Sequence, residues 1–127
     1  MEIQSVFHQF NSKRVLIIGD AMIDAYMWGE INRTSPEAPV DIVNIKKYEK
    51  RLGGAANVAL NVKSLGAIPT LCSIIGKGIN GTIFKNLMKK EGLKTSALLS
   101  NKNAKTTIKT RVIANNKHQI RIDEEDI

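Results

Sequence analysis

The chain has 127 residues, 43% of them hydrophobic, and a formal net charge of +7. That length and composition suit one folded unit with a real core and exclude a disordered chain. No apolar run approaches the roughly 20 residues of a membrane span, and residues 1–8 lack the basic-then-apolar layout of a signal peptide, so no membrane partner and a cytoplasmic location are expected.

In chain order, residues 14–18 form a short β-branched run ending at Gly19-Asp20, the signature of a buried parallel strand. Residues 26–32 and 40–48 mix polar and apolar side chains around the turn Thr34-Ser35-Pro36-Glu37-Ala38-Pro39, which predicts two exposed antiparallel strands. From Gly53 to Leu65, Ala55, Val58, Ala59, Val62 and Leu65 fall at helical spacing and Gly66 supplies a stop. Residues 70–75 predict a second buried strand. It contains Cys72, the single cysteine, which reads as a small core residue and excludes an intramolecular disulfide. Residues 82–91 predict a second helix, with Ile83, Phe84, Leu87 and Met88 on one face and Gly92 at its end. Residues 95–99 predict a third core strand.

The last quarter alternates. Ile108, Thr110 and Val112 share one face of a strand over 106–114, while Thr107, Lys109 and Arg111 share the other. Asn115-Asn116 gives a turn, and 119–123 alternates again. The pattern is βαβαβ with inserted strands, hence an α/β fold with a small side sheet, in one unit over residues 1–127.

Charge points to an anionic partner. Four of the twelve acids stand at 123–126, so the rest of the chain is strongly basic. Its lysines are scattered and not interleaved with aromatics, and no nucleic-acid module is visible. They read as solvated surface, with no nucleic-acid partner.

The chemistry concentrates near the first strand. In open α/β sheets, ligands bind beyond the carboxyl ends of the strands. Asp20 and Asp24 follow that strand, and Gly53-Gly54 opens the first helix, whose N-terminus offers free N–H groups and a positive dipole end. Asn57 adds a donor and an acceptor in the first turn. A carboxylate accepts hydrogen bonds from two neighbouring hydroxyls, so these groups suit a polyol. The competing readings are turn forming by Asp20 and Asp24, tight helix–sheet packing by the glycines, and plain solvation of Lys109 and Arg111. Tyr26, Trp28 and Tyr48 read as packing for the side sheet. His8 and His118 have no visible partner and are assigned no chemistry.

Three segments stand in order: Gly19-Asp20-Ala21-Met22-Ile23-Asp24-Ala25-Tyr26, then Asn32-Arg33-Thr34-Ser35-Pro36-Glu37-Ala38-Pro39-Val40, then Arg51-Leu52-Gly53-Gly54-Ala55-Ala56-Asn57-Val58-Ala59. Together they resemble the N-terminal half of ribokinase-family sugar kinases. With Thr106-Thr107-Ile108-Lys109-Thr110-Arg111-Val112-Ile113, they are similar more narrowly to kinases that phosphorylate D-glycero-D-manno-heptose 7-phosphate at its anomeric position. The resemblance spans roughly residues 14–123.

The resemblance implies a ribokinase-like fold, with a parallel core sheet flanked by helices and a small antiparallel lid sheet, of which only the N-terminal half is present. It implies Asp24 as the sugar-hydroxyl acid with Asp20 beside it, Gly53, Gly54 and Asn57 as the sugar clamp, and Lys109 and Arg111 toward the 7-phosphate. The lid strands, near 26–48 and 106–123, would close over the sugar, exclude water and mediate a homodimer. ATP and Mg2+ are implied for the complete enzyme, with neither expected on this chain alone. No catalytic base and no metal ligand is nominated. The family's Gly-x-Asp-x-x-Gly pattern reads Gly76-Lys77-Gly78-Ile79-Asn80-Gly81 here, without the acid. The alternatives are a non-catalytic dimerising fragment and a family kinase for another sugar.

Overall fold

This computed structural model describes residues 2–126; Met1 and Ile127 of the expected 1–127 unit lie outside them. The elements in order are α1 (Ile3–His8), β1 (Arg14–Ile18), β2 (Ala21–Thr34), β3 (Asp41–Gly54), α2 (Ala55–Ser64), β4 (Ile68–Gly76), α3 (Ile79–Lys90), β5 (Leu98–Asn101), β6 (Thr107–Ala114) and β7 (Lys117–Glu124). They form two sheets, a parallel one ordered β1-β4-β5 and a second ordered β3-β2-β6-β7.

The parallel core sheet follows from its sequence. β1 and β4 are apolar, β-branched runs, and successive parallel strands are reached through the crossover helices α2 and α3. Leu71 and Ile75 of β4 are fully buried with Ala56 and Ala59 of α2 and Phe84 and Met88 of α3. Ile23, Leu52 and Ile108 extend that core under the second sheet. Both helices end as their glycines predict. Gly66 and Gly92 take positive φ values of 95° and 68°. Beyond them, the Ala67 and Leu93 N–H groups donate back to the Val62 and Met88 carbonyls at 3.2 and 2.9 Å, the bond pattern of a Schellman cap.

Several boundaries differ from the sequence reading. Gly53 and Gly54 also finish β3, because the ladder with β2 runs on to Met22–Gly53 and Ala21–Gly54, so that Gly54 is both the last strand residue and the N-cap of α2. Asn57 still falls in the helix's first turn. α3 starts at Ile79, three residues early, with Gly78 as its N-cap. The third core strand is shifted to Leu98–Asn101, because a turn bonds the Leu98 N–H to the Thr95 carbonyl at 3.2 Å. α1 was not legible; its Phe7 meets Phe10 edge to face at 5.6 Å. Cys72 is half-buried. The lid is two antiparallel hairpins, β2–β3 and β6–β7, joined along a parallel β2–β6 seam, so the sheet is mixed.

Two buried side-chain bonds lock the sheets together. Ser73 Oγ accepts the Ala21 N–H at 3.1 Å, and Thr106 Oγ1 accepts the Gly76 N–H at 2.9 Å. Each places the entrance of a lid strand at the carboxyl end of β4.

Candidate functional site

Strand alternation sorts the lid into two faces. Ile23, Ala25, Ile108 and Val112 turn to the core. The opposite face carries ionic side chains in cross-strand rows: Arg51, Asp24, Lys109 and Asp123 lie level across four strands, and Glu49, Tyr26, Arg111 and Arg121 form the next row.

Asp24 is the centre of this face. Arg111 Nη1 donates to Asp24 Oδ1 at 2.8 Å, with both side chains half-buried. That bond raises the Arg111 guanidinium further above its ordinary value. The other carboxylate oxygen lies over Gly53, where a Cβ would stand 2.5 Å from it. Gly53 thus serves close approach to Asp24 and Met22 on β2 rather than helix–sheet packing. Tyr26 gathers two guanidiniums, with the Arg51 and Arg111 Cζ atoms 4.9 and 5.4 Å from its ring centre. Trp28 stacks on the same ring, with centroids 6.0 Å apart.

The cations of this face are already matched. Lys109 Nζ donates to Asp123 Oδ2 at 3.0 Å and Glu125 Oε2 at 3.1 Å. Those bonds raise the Lys109 pKa, and Lys109, with help from Arg121, holds the Asp123 carboxyl below its ordinary value. Arg51 Nε bonds Glu49 at 2.7 Å and lowers that carboxyl likewise.

The sequence candidates therefore separate. Asp24, Gly53 and Arg111 come together, with Lys109 beside Asp24 on the neighbouring strand. Asp20 contributes backbone here: its carbonyl accepts the Ala55 N–H at 2.9 Å and presses against Gly54. Gly54 has φ 56° and ψ −134°, a conformation that needs glycine. Asp20 itself lines a cleft of about 290 Å³ with Met22, Lys105 and Thr107. Asn57 lines another, of about 340 Å³, with Arg51, Leu60, Leu87 and Lys90. Among the described residues, no three His, Cys, Asp or Glu side chains gather as a metal cage, and no helix is long and apolar enough to cross a membrane.

Sequence reasoning missed Arg51 and Tyr26 as members of the Asp24 cluster. A signal existed for Arg51, which stands two residues before Gly53 and so shares its strand face. The counter-charges Glu49, Asp123 and Glu125 needed the strand registers.

What this face can do is accept hydroxyl donors at a fixed carboxylate bordered by cations. The sequence profile of the pfkB family carbohydrate kinases matches residues 12–127. The bifunctional protein HldE of Helicobacter pylori (strain J99) is 47% identical over 113 residues, covering 89% of this chain and 24% of that protein. A carbohydrate kinase from Agrobacterium tumefaciens superposes with a TM-score of 0.69 at 20% identity, covering 88% of this chain and 35% of the other. A nucleoside kinase of Methanocaldococcus jannaschii, an archaeal member of the ribokinase family, gives 0.65 at 21% identity, covering 90% and 37%. The fold is thus ribokinase-like, and the chain spans about a quarter of the length of the curated relatives it matches.

Proposed function

The chain belongs to the pfkB family of carbohydrate kinases, and from that premise we propose that it forms the sugar-binding and lid part of an ATP-dependent kinase phosphorylating D-glycero-D-manno-heptose 7-phosphate at its anomeric O1, in the cytoplasm. The observation that carries this reading is the Asp24 carboxylate, seated on Gly53 and gripped by Arg111. Asp24 accepts two sugar hydroxyls, and Arg111 fixes the carboxylate in advance, so that orienting it costs nothing when the sugar arrives. Gly53 leaves the backbone open beside it. The segments 32–40 and 106–113, by their resemblance to heptose-phosphate kinases, favour this sugar over others.

Lys109 and Arg111 serve the substrate's 7-phosphate as charge-assisted donors. At Lys109 the phosphate competes with Asp123 and Glu125, which hold the ammonium now. ATP supplies the phosphoryl group in the complete enzyme, with Mg2+ to neutralise its charge. No residue of this chain is assigned to hold either, and none is assigned as the base.

The test is calorimetric titration of the chain with the heptose 7-phosphate, with ribose and fructose 6-phosphate as controls. Heptose-selective binding that disappears in Asp24→Ala supports the reading. Equal binding of all three removes the heptose assignment, and no binding by a folded chain means that these residues do not form a sugar site by themselves.

A second reading is favoured by β7, which is exposed along its length and presents Ile120 and Ile122 at the edge of the lid. An apolar edge strand recruits another strand. In this reading the chain dimerises through its lid, and sedimentation at rising concentration, with Ile120→Lys as control, tests it.

A further inference from the structure

Two arginines from different strands meet one aromatic ring beside Asp24. Arg51 of β3 and Arg111 of β6 both pair across to β2, and their Cζ atoms stand 4.9 and 5.4 Å from the centre of the Tyr26 ring. Trp28 stacks on the same ring, with the planes 16° apart, and so limits its rotation. Each guanidinium has five N–H donors to place. Arg51 commits only Nε, to Glu49 at 2.7 Å. Arg111 commits only Nη1, to Asp24 and to the Lys109 carbonyl. Both Nη groups of Arg51, and Nη2 and Nε of Arg111, have no protein acceptor among the described residues.

The three cations around Asp24 are not equally available. Two carboxylates hold Lys109, whose side chain is 18% exposed against 56% for Arg51. Arg51 is also the easiest to redirect. Its acceptor Glu49 has Lys47 at 3.6 Å as a second cation, so turning Arg51 away leaves no carboxylate without a counter-charge. Turning Arg111 away would take from Asp24 its one ion-pair partner among the described residues. Uncommitted N–H groups on two guanidiniums around one ring are the donor set for a tetrahedral oxyanion, which arginine grips two oxygens at a time. We propose that Arg51 is a phosphate-binding residue: with Arg111 it makes a two-guanidinium fork at the Tyr26 ring for the phosphate group of a phosphorylated substrate. Tyr26 is its positioning residue, holding two like charges together before the phosphate arrives. The identity of the occupant rests on the sugar-phosphate reading above; the fork does not.

Inorganic phosphate is the first probe, titrated into the full chain while the Nε–H signals of its arginines are followed by NMR. Arg51 and Arg111 should move saturably, and the exposed Arg33 should not. Arg51→Gln alters an exposed side chain, with its folding checked by circular dichroism, and should weaken phosphate binding roughly tenfold or more. Arg51→Lys keeps the charge without the fork and should recover only part of that loss. The heptose 7-phosphate should displace phosphate, while the unphosphorylated heptose should not distinguish Arg51→Gln from the unchanged chain. Four results overturn the proposal. Neither arginine moves saturably; Arg33 moves as far, which marks an adventitious ion only; Lys109 responds in place of Arg51; or Arg51→Gln weakens both sugars equally, which makes Arg51 a support for Asp24. Phosphate that sits on the fork and resists the heptose 7-phosphate upholds the fork and removes the heptose reading alone.

Discussion

The carboxylate of Asp24 rests on Gly53, one step along the β2–β3 ladder, in a space that any Cβ would occupy. A Cβ on Gly53 would lie 2.5 Å from Asp24 Oδ2 and 2.9 Å from Met22 Cγ. Gly53→Ala therefore has to move the acid off its seat, away from Arg111. Overpacking of this kind costs about 1–3 kcal/mol. Urea unfolding should show that loss, with sugar binding lost as well. Gly78→Ala, where nothing lies within 4 Å, is the control that keeps its stability. Equal effects at the two glycines would remove the close-contact explanation.

Charge and shape at Asp24 can be separated. Asp24→Asn keeps the outline over Gly53 and an amide oxygen that can still accept from Arg111, but removes the negative charge that pairs with the guanidinium. The pair is half-buried, so about 1 kcal/mol of stability is expected to go. Arg111→Lys should lose a similar amount, because an ammonium cannot repeat the guanidinium's contact with the Tyr26 ring. A double variant no worse than either single one would confirm that the two residues act as a pair.

The tie between Lys109 and Asp123 sets a pH window. Asp123 is held below its ordinary value by Lys109 first and Arg121 second, so its contribution to stability is complete above the unfolded carboxylate value. It is lost as pH falls through the lower, folded value. Lys109 is shifted upward, so its contribution is complete below the ordinary lysine value and is lost only as pH rises through the higher, folded one. At neutral pH both are in place. Carboxyl carbon shifts followed by NMR should put the Asp123 midpoint below the ordinary aspartate range. Lys109→Ala should raise it, though not fully, because Arg121 remains at 2.9 Å.

α3 starts without a side-chain cap. Gly78 has φ −74° and ψ −172°, a conformation open to any residue, with empty space where its Cβ would point. No acid stands in the helix's first turn. Gly78→Asp thus adds a capping acceptor, a charge favourable to the dipole and a stiffer unfolded chain. Together these give about 1 kcal/mol. A rise in Tm of several degrees checks it. An unchanged Tm would mean that the departure from the family's Gly-x-Asp-x-x-Gly pattern is not a missing cap.

The core was legible in part. Phe84 and Met88 are buried on the expected face of α3, and Leu71 and Ile75 in the expected strand. Val58 and Leu65 of the expected α2 face are exposed, as are Leu16 and Ile18 of the first strand, which was expected to be buried. The site was legible in part. Gly53 and Asp24 meet because alternation aligns them across one hairpin. Asn57 and Asp20 stand in separate clefts, since the strand runs on through Gly54 and the helix starts at Ala55. The pairing of Lys109 with Asp123 was hidden by a bulge. Ala114 faces Lys117 and Ile113 faces His118, but beyond the bulge Val112 faces Ile120. Counting back from the turn without it sets Lys109 opposite Ile122. The one-residue shift is what brings Ile120 and Ile122 onto the face of Val112 and Thr110, as the pattern of side chains requires.

The turn that starts this hairpin carries its own strain. Asn115 and Asn116 both sit at positive φ, 50° and 59°. A two-residue hairpin turn of this kind favours Asn-Gly. Asn115 is worth keeping, because its amide bridges the Ile31 N–H and C=O of β2 at 3.4 Å each and so anchors the turn on the neighbouring hairpin. Asn116 makes no such bond among those described, and its conformation is the one that glycine adopts freely. Asn116→Gly should therefore gain about 0.5 kcal/mol, while Asn116→Val, β-branched at positive φ, should lose about 1–2 kcal/mol. Urea unfolding separates the two. A valine variant as stable as the glycine one would show that the bulge and the apolar face, not the turn, set the pairing of β6 with β7.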